Sequence, residues 1–494
     1  MHPSRSDSLG RDVHVQLSQL VPEARFLSCS DIFVQKCCDD PHLCQHGDVF
    51  VAREGLLGEA NDAARIALAN GAVAIISETV IPTGGLPQAI VPNADWTYAR
   101  LCHALAGDPG RRLHVIAITG TSGKTTTAWL TASVLSEAGL SVGIISDLGC
   151  VDGSGENVEH GTGEDPAHCA LWLQRIADSG CSHVVVEVSS QMLASYTLAG
   201  LECDTVVLTN LGNAHHERHG SQEAYRDING RMLSYLAEDG CLIVNGDDSR
   251  LQRFVNQCAK EHPGVGVITA GLHHGDITAS PVERSLFGQT YLMHVGGHVV
   301  PVAVTPPVIS SVRNGLLAAA IGIRERIPLE RIARGLEAAG CISGRVERLD
   351  RGQEFAVFLD TPSTGHALAS TLASLRKLTH GHLLLLADER FAESLGGWEI
   401  FTNRSLRWCD DCLIAPSGII SDNDDKSLLA AYARIDRALA SLGDGDCVLV
   451  LGDVLRGGMP SGGPESSDLG LVDLVDGWLQ LSHVPEPVHH RRAA

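Results

Sequence analysis

The sequence predicts an α/β protein of about three domains with a parallel sheet at its centre. Three observations predict it. A chain of 494 residues is too long for one hydrophobic core. Short runs rich in β-branched residues alternate with helical segments over most of its length. The stretch from Val115 to Leu130, V-I-A-I-T-G-T-S-G-K-T-T-T-A-W-L, reads as an apolar strand, a glycine-bearing turn and a helix. Parallel sheets bind phosphate on that unit.

Taken in order, residues 1–112 read as a small α/β unit. Gly47 to Ala52 is a strand after a turn, Glu59 to Asn70 a helix with an Ala/Leu stripe, and Gly71 to Ser77 a second strand. Asp108-Pro-Gly110 with the arginines after it makes a linker. Residues 113–342 alternate strand and helix. Ser141 to Ile145, His183 to Glu187, Asp204 to Thr209 and Cys241 to Gly246 are strands; Pro166 to Ser179 and Gln222 to Ala237 are helices. Residues 264–305 read as antiparallel strands with glycine-rich turns, and Val312 to Ile323 returns to helix. A third unit, 343–483, has strands at Phe355 to Asp360, His382 to Leu386, Cys412 to Ala415 and Cys447 to Gly452, the alternation of a doubly wound sheet. The tail 484–494 is expected to be disordered.

Composition narrows the function. With 44% apolar residues and no run near the ~18–20 of a membrane span, a membrane protein is not expected. Met1 to Asp7 lacks the apolar core of an export signal, which points to the cytoplasm. A net charge of −22 argues against nucleic acid as partner, since phosphate backbones demand clustered Lys and Arg. Oligomeric state stays open, with a monomer expected. Fifteen cysteines, an odd number scattered through strands and helices, read as reduced thiols. Cys37, Cys38, His42, Cys44 and His46 offer ligand types without regular spacing, and Cys409-Asp-Asp-Cys412 lacks a second pair. A structural zinc needs four convergent ligands, so neither cluster is read as one.

The glycine-bearing turn carries the chemistry. The amides of Thr121, Ser122, Gly123 and Lys124 are expected to point inward at a helix N-terminus, where free N–H groups and the dipole favour polyphosphate. Gly120 and Gly123 let the backbone approach, Lys124 reaches the β/γ-phosphates, and the hydroxyl of Thr125 or Thr126 coordinates Mg²⁺. ATP and Mg²⁺ are the expected cofactors. The spacing departs from G-x-x-x-x-G-K-[ST], because Ile118 stands where the first glycine would be. Two further strand ends converge on this edge if the sheet is parallel. Glu187, followed by Ser189 and Ser190, closes a run of three valines and suits a Mg²⁺ site; His215, after Thr209-Asn210-Leu211, could ligate a second ion.

Together these segments resemble the Mur ligase family, in particular its members that add the third residue of a UDP-N-acetylmuramoyl peptide. The resemblance spans nearly the whole chain. It rests on T-G-T-S-G-K-T-T-T, on E-V-S-S at 187–190, and on T-N-L…H…H-G-S-Q-E-A-Y from Thr209 to Tyr225. V-N-G-D-D at 244–248, R-N-G-L-L-A-A-A at 313–320 and S-G-R-V-E at 343–347 support it. It implies three domains: a UDP-substrate-type domain (1–112), an ATP-binding domain (113–342) and a Rossmann-like ligase domain (343–483). It implies Lys124 and Thr125 on the ATP phosphates, Glu187 and His215 on Mg²⁺, and Asn314 on the adenine. Arg345 and Asp360 would approach from the C-terminal domain, with Ser189 and Ser190 towards the substrate. The implied reaction activates a carboxylate of a UDP-N-acetylmuramoyl peptide as an acyl phosphate, which an amino acid's amine attacks.

The departures concern the substrate and acceptor sides. The family's lysine, carbamylated to bridge a second Mg²⁺, is Asn229 here, and an amide cannot take up CO₂. The family's D-H is Ala214-His215; His216 or Glu217 could compensate for the lost ligand. The acceptor motif D-N-P-R has only Ser421-Asp-Asn-Asp-Asp425 as an echo, without the arginine that grips a carboxylate. G-K-G-H-E becomes Gly452-Asp-Val-Leu-Arg456, D-Y-A-H-T-P becomes Asp360-Thr-Pro-Ser-Thr-Gly365, the muropeptide pair falls at Ser195 and Thr197, and D-S-R falls near Asp40-Pro41-His42. Two readings stay open: an amide ligase with an altered acceptor, or a catalytically weakened ATP-binding relative with a regulatory or scaffolding role. A simple ATPase would not need the C-terminal matches.

Overall fold

The computed structural model describes residues 13–53, 60–154, 163–212, 222–305, 307–395, 397–415, 426–452 and 471–482. The expectations for Ala214, His215, His216, Glu217, Ser421 to Asp425, Asp453 to Arg456 and the tail 484–494 lie outside these residues. The described residues fall into two compact units, one of residues up to 270 together with 320–328, the other of 271–319 and the remainder. Among the described residues no helix is long and apolar enough to cross a membrane.

Besides a two-stranded antiparallel ribbon of Val15–Gln16 and Phe33–Val34, the first unit holds strands of two larger sheets. The smaller runs in the order 25–27, 88–90, 74–77, 49–51, 37–38, parallel except at the Arg25–Leu27 edge. The larger places His114–Thr119 between His183–Glu187 and Cys203–Leu208, with Val142–Ser146, Leu236–Asn245 and Gly266–Ala270 outward, all parallel. A short strand, Gly149–Val151, closes one edge antiparallel. Val184, Val185 and Val186 are wholly buried, as a strand covered on both faces requires.

The helix Pro166–Asp178 shows how sequence becomes packing. Asp165 caps it by accepting from His168 N at 2.9 Å, and Pro166 sits where its missing N–H costs nothing. It stops at Gly180, with φ 82°. Trp172, Leu173 and Ile176, one face of the helix, lie wholly buried in the cluster formed by Val115, Ala117, Val184 and Val186. Burial of side chains of this size stabilises by roughly 1.5–3 kcal/mol each.

The second unit contains antiparallel strands Ile277–Ser285, Gly288–Val295 and His298–Val304. Its other sheet has the order 347–349, 356–360, 447–451, 383–388, 411–415, parallel except at the Glu347–Leu349 edge, with apolar clusters on both faces.

Two expectations need correction. The helix from Gln222 ends at Gly230 rather than Ala237, passes through a 3-10 turn at Arg231–Tyr235, and gives way to a strand at Leu236. Asn229 and Gly230, poor helix formers side by side, mark that end. Gly266–Ala270, expected to be antiparallel, pairs parallel with Cys241 to Asn245; the antiparallel strands begin at Ile277.

Candidate functional site

Register fixes which side chains share an edge. Glu187 pairs with Ile118 and Leu208 with Thr119, so the ends of three strands meet the turn after His114–Thr119. That turn needs its glycines. Gly120 has φ 138° and Gly123 φ 82°. A Cβ at Gly120 would run into Thr209 Oγ1 and lie 2.9 Å from Asn210 O. Gly120→Ala is expected to weaken nucleotide binding by at least about tenfold and to lower stability by more than about 1 kcal/mol. Titration with Mg-ATP and a thermal melt check both.

The helix Lys124–Glu137 begins directly after Gly123. The expectation that four amides face a phosphate needs correction. Thr121 N donates to Asn210 O at 3.1 Å, and Ser122 N to Asn210 Oδ1 at 3.1 Å. Asn210 Nδ2 and Thr209 Oγ1 both donate to Ser122 O, at 2.9 and 2.7 Å. Thr121 Oγ1 accepts from Gly212 N at 2.7 Å and pairs with the Tyr225 hydroxyl at 3.0 Å. The first half of the loop is thus tied to the neighbouring strand end, which leaves the Gly123–Lys124 end, where the first helix amides lack intrahelical partners.

Lys124, Thr125 and Glu187 come together as expected. Thr125 Oγ1 donates to Glu187 Oε1 at 3.0 Å, Lys124 Nζ lies 3.9 Å from the same oxygen, and Asp147 N donates to Oε2 at 3.1 Å. The Glu187 side chain is 1% exposed and that of Lys124 13%. The hydroxyl at Glu187 is that of Thr125, while Thr126 is half-buried. Octahedral Mg²⁺, with oxygens at 2.0–2.1 Å, holds neighbouring ligands about 2.9 Å apart. A hydroxyl and a carboxylate oxygen at 3.0 Å fit that donor set.

Other expected residues are committed elsewhere. Ser189 Oγ accepts from Met192 N at 3.1 Å, capping the helix Ser190–Ala194 that Ser190 opens. Ser195 Oγ and Thr197 Oγ1 lie 3.1 Å apart, and Thr197 donates to Glu164 O at 2.8 Å. In the second unit, Asn314 is buried on helix Ile309–Arg324. Asp360 accepts from Thr361 N, Val346 N and Thr371 Oγ1 at 3.0, 3.3 and 3.2 Å, and Arg345 donates to Thr361 O. Burial pushes the Asp360 carboxyl up to about 6, against the pull of Arg345 and those hydrogen bonds. Asn229 is 1% exposed; its Nδ2 donates to Tyr225 O at 2.7 Å and its Oδ1 accepts from Thr119 Oγ1 at 3.4 Å.

The cysteine clusters yield no four-ligand site among the described residues. Cys38, Cys44 and Asp48 gather in the core, but His42 and His46 are exposed. Cys409 Sγ donates to Ser405 O at 3.3 Å. Sequence reasoning gave no role to Asn210, Tyr225, Asp147 or Asp248, whose Oδ2 accepts from Leu211 N at 2.9 Å. T-N-L and V-N-G-D-D were the available signals, because polar residues at the ends of buried strands need partners there.

A glycine turn between a central parallel strand and a helix, with hydroxyl, carboxylate and lysine at its rim, has the form of a nucleotide-binding core. Residues 118–322 match the family described as Mur ligase middle domain. The UDP-N-acetylmuramyl-tripeptide synthetase of Roseiflexus sp. (strain RS-1) is 31% identical over 359 residues, covering 68% of this chain and 69% of that protein. The UDP-N-acetylmuramoyl-L-alanyl-D-glutamate–2,6-diaminopimelate ligase of Geobacillus thermodenitrificans (strain NG80-2) is 28% identical over 411 residues, 82% of each chain. A solved structure of a ligase of the latter name superposes with TM-score 0.67 at 20% identity, covering 89% of this chain and 93% of that one. The Thermotoga maritima MurF ligase in complex with ADP gives 0.55 at 19% identity, covering 84% and 93%. The chain belongs to the Mur ligase family.

Proposed function

We propose that this chain is an ATP-dependent amide ligase that joins an amino acid to a UDP-N-acetylmuramoyl peptide. The observation that carries the reading is the convergence of Lys124, Thr125 and Glu187 at one strand edge, in a chain whose relatives are named as ligases and synthetases of that substrate class. A carboxylate oxygen of the peptide attacks the γ-phosphorus and ADP leaves. The amine of the incoming amino acid then attacks the acyl carbon, inorganic phosphate leaves, and the amine gives up a proton. Lys124 balances charge on the phosphates, Gly123 allows the backbone to approach them, and Gly120 lets the loop close against Thr209 and Asn210. Thr125 and Glu187 would hold Mg²⁺, which when bound neutralises phosphate charge. Asp147 N keeps Glu187 oriented from behind.

Asn229 favours a second reading, a weakened relative that binds ATP and acts as regulator or scaffold. Its amide is buried and hydrogen-bonded where a bridging carbamate is expected. ADP release from purified protein separates the two. With Mg-ATP, UDP-N-acetylmuramoyl dipeptide and a panel of amino acids, the ligase releases ADP only when both other substrates are present. Nucleotide binding without acceptor-dependent release would overturn the ligase reading in favour of the scaffold.

A further inference from the structure

The opposite edge of the large sheet carries a cluster that nucleotide chemistry does not use. His114 opens the phosphate-loop strand, His183 opens its neighbour, and the two are direct register partners. Their rings lie 5.1 Å apart, tilted by 43°. Glu325 reaches them from the turn after helix Ile309–Arg324. Glu325 N donates to Ile321 O and Ile327 N to Gly322 O, both at 2.9 Å, around Arg326 at φ 57°. A carboxylate there stands at the negative end of the helix dipole, where a cation is favoured and added negative charge is not.

The donor geometry suits a metal ion. His114 Nε2 lies 3.1 Å from Glu325 Oε1, and His183 Nε2 lies 3.5 Å from Oε2. One ligand atom from each residue lies within 4.8 Å of the others. A tetrahedral ion with ligands at about 2.0–2.1 Å holds them about 3.3–3.4 Å apart. Behind each ring stands an outer partner: Ser182 Oγ is 2.7 Å from His183 Nδ1, and Asp204 Oδ1 is 3.6 Å from His114 Nδ1. The Ser182 contact orients the His183 ring as metal-binding imidazoles are oriented, with the second nitrogen left to the ion, while Asp204 lies beyond hydrogen-bond reach of His114.

Two of the facing atoms form an ion pair with each other, 3.1 Å apart. His114 Nε2 and Glu325 Oε1 are sealed from solvent and, though close, are not aligned for a hydrogen bond. His183 is only 8% exposed. Arg324 is the opposing charge nearby, and its guanidinium donates to Asp239 O at 3.2 Å. Against it stand the carboxylates of Glu325 and Asp204, so a site with neutral imidazoles keeps one net negative charge.

We propose that His114, His183 and Glu325 bind a divalent transition ion of the zinc type, with water in the fourth position. Two imidazoles and one carboxylate select zinc or cobalt over Mg²⁺, which prefers oxygen ligands. From His114 to Thr119 the strand spans about 17 Å at roughly 3.3 Å per residue, so the ion stands apart from phosphoryl transfer. It fastens the helix end to two strand starts.

The test uses the full chain, stripped with chelator and kept in millimolar Mg²⁺ so that the oxygen-ligand site is not available to the probe. Titration with ZnCl₂ is expected to show one tightly bound ion and a raised melting temperature. Cobalt is expected to give the visible band of tetrahedral nitrogen–oxygen ligation. His183→Gln and, at the less buried position, His114→Gln should each weaken zinc binding by at least about 100-fold. Cys38→Ser should leave it unchanged. Absence of a stoichiometric ion in the wild-type chain, wild-type zinc affinity in both histidine variants, or a sulfur-to-cobalt charge-transfer band would each overturn the proposal.

Discussion

Replacing Lys124 by alanine is expected to abolish nucleotide binding while leaving the fold intact. The ammonium lies at the rim of the turn, 3.9 Å from Glu187 Oε1, with its side chain 13% exposed. The variant removes a positive charge placed to face a polyanion. A charge-assisted hydrogen bond is worth about 1.5–3 kcal/mol, and charge in a site shielded from water counts for more. A loss of at least about 100-fold in Mg-ATP affinity follows, equivalent to about 2.7 kcal/mol. Stability should change little, because Glu187 keeps Thr125 Oγ1 and Asp147 N as donors. Calorimetric titration with Mg-ATP, beside a thermal melt, reads the two effects separately. Unchanged affinity would remove the phosphate site from this turn, and the proposed reaction with it.

Much of this was legible in the sequence, for physical reasons that differ from residue to residue. Val184 to Val186 announce a strand buried on both faces, and Pro166 and Gly180 punctuate a helix, because both signals are local. The meeting of Thr125 with Glu187 followed from topology alone, since parallel strands gather their ends on one edge. What was hidden depends on partners far away in sequence. Asn210 takes the amides of Thr121 and Ser122, and no spacing rule reveals that a strand-end asparagine will bridge to a loop 88 residues earlier. Short edge strands such as Gly149–Val151 and Glu347–Leu349 were missed for the same reason: their pairing is decided by a neighbour, not by their own composition. His183 was read only as part of a strand, and His114, just before the strand expected from Val115, was given no reading. Register makes them partners, and Glu325 completes the group from a helix end distant in sequence.

Asn229→Lys carries the other large expected effect. The native amide is 1% exposed, donating to Tyr225 O and accepting from Thr119 Oγ1 at the end of the phosphate-loop strand. A lysine there exchanges a satisfied amide for a buried amine, which disfavours its charged form and leaves it neutral more of the time. A neutral amine adds to CO₂, giving a carbamate and releasing a proton, and the resulting carboxylate can serve as a metal ligand. The substitution alone is expected to destabilise the chain by about 1–3 kcal/mol, the usual cost of burying an unsatisfied polar group. If the chain is a weakened ligase, bicarbonate should recover part of that stability. It should also raise acceptor-dependent ADP release by about tenfold or more, as supplying a missing metal ligand can. The control is the wild-type chain, whose rate bicarbonate should not move. A variant that folds and binds Mg-ATP but gains nothing from bicarbonate would mean that the surroundings of Asn229 no longer support a bridging carboxylate. The buried Asn229–Thr119 contact would then be the settled state of a protein whose nucleotide binding serves another purpose.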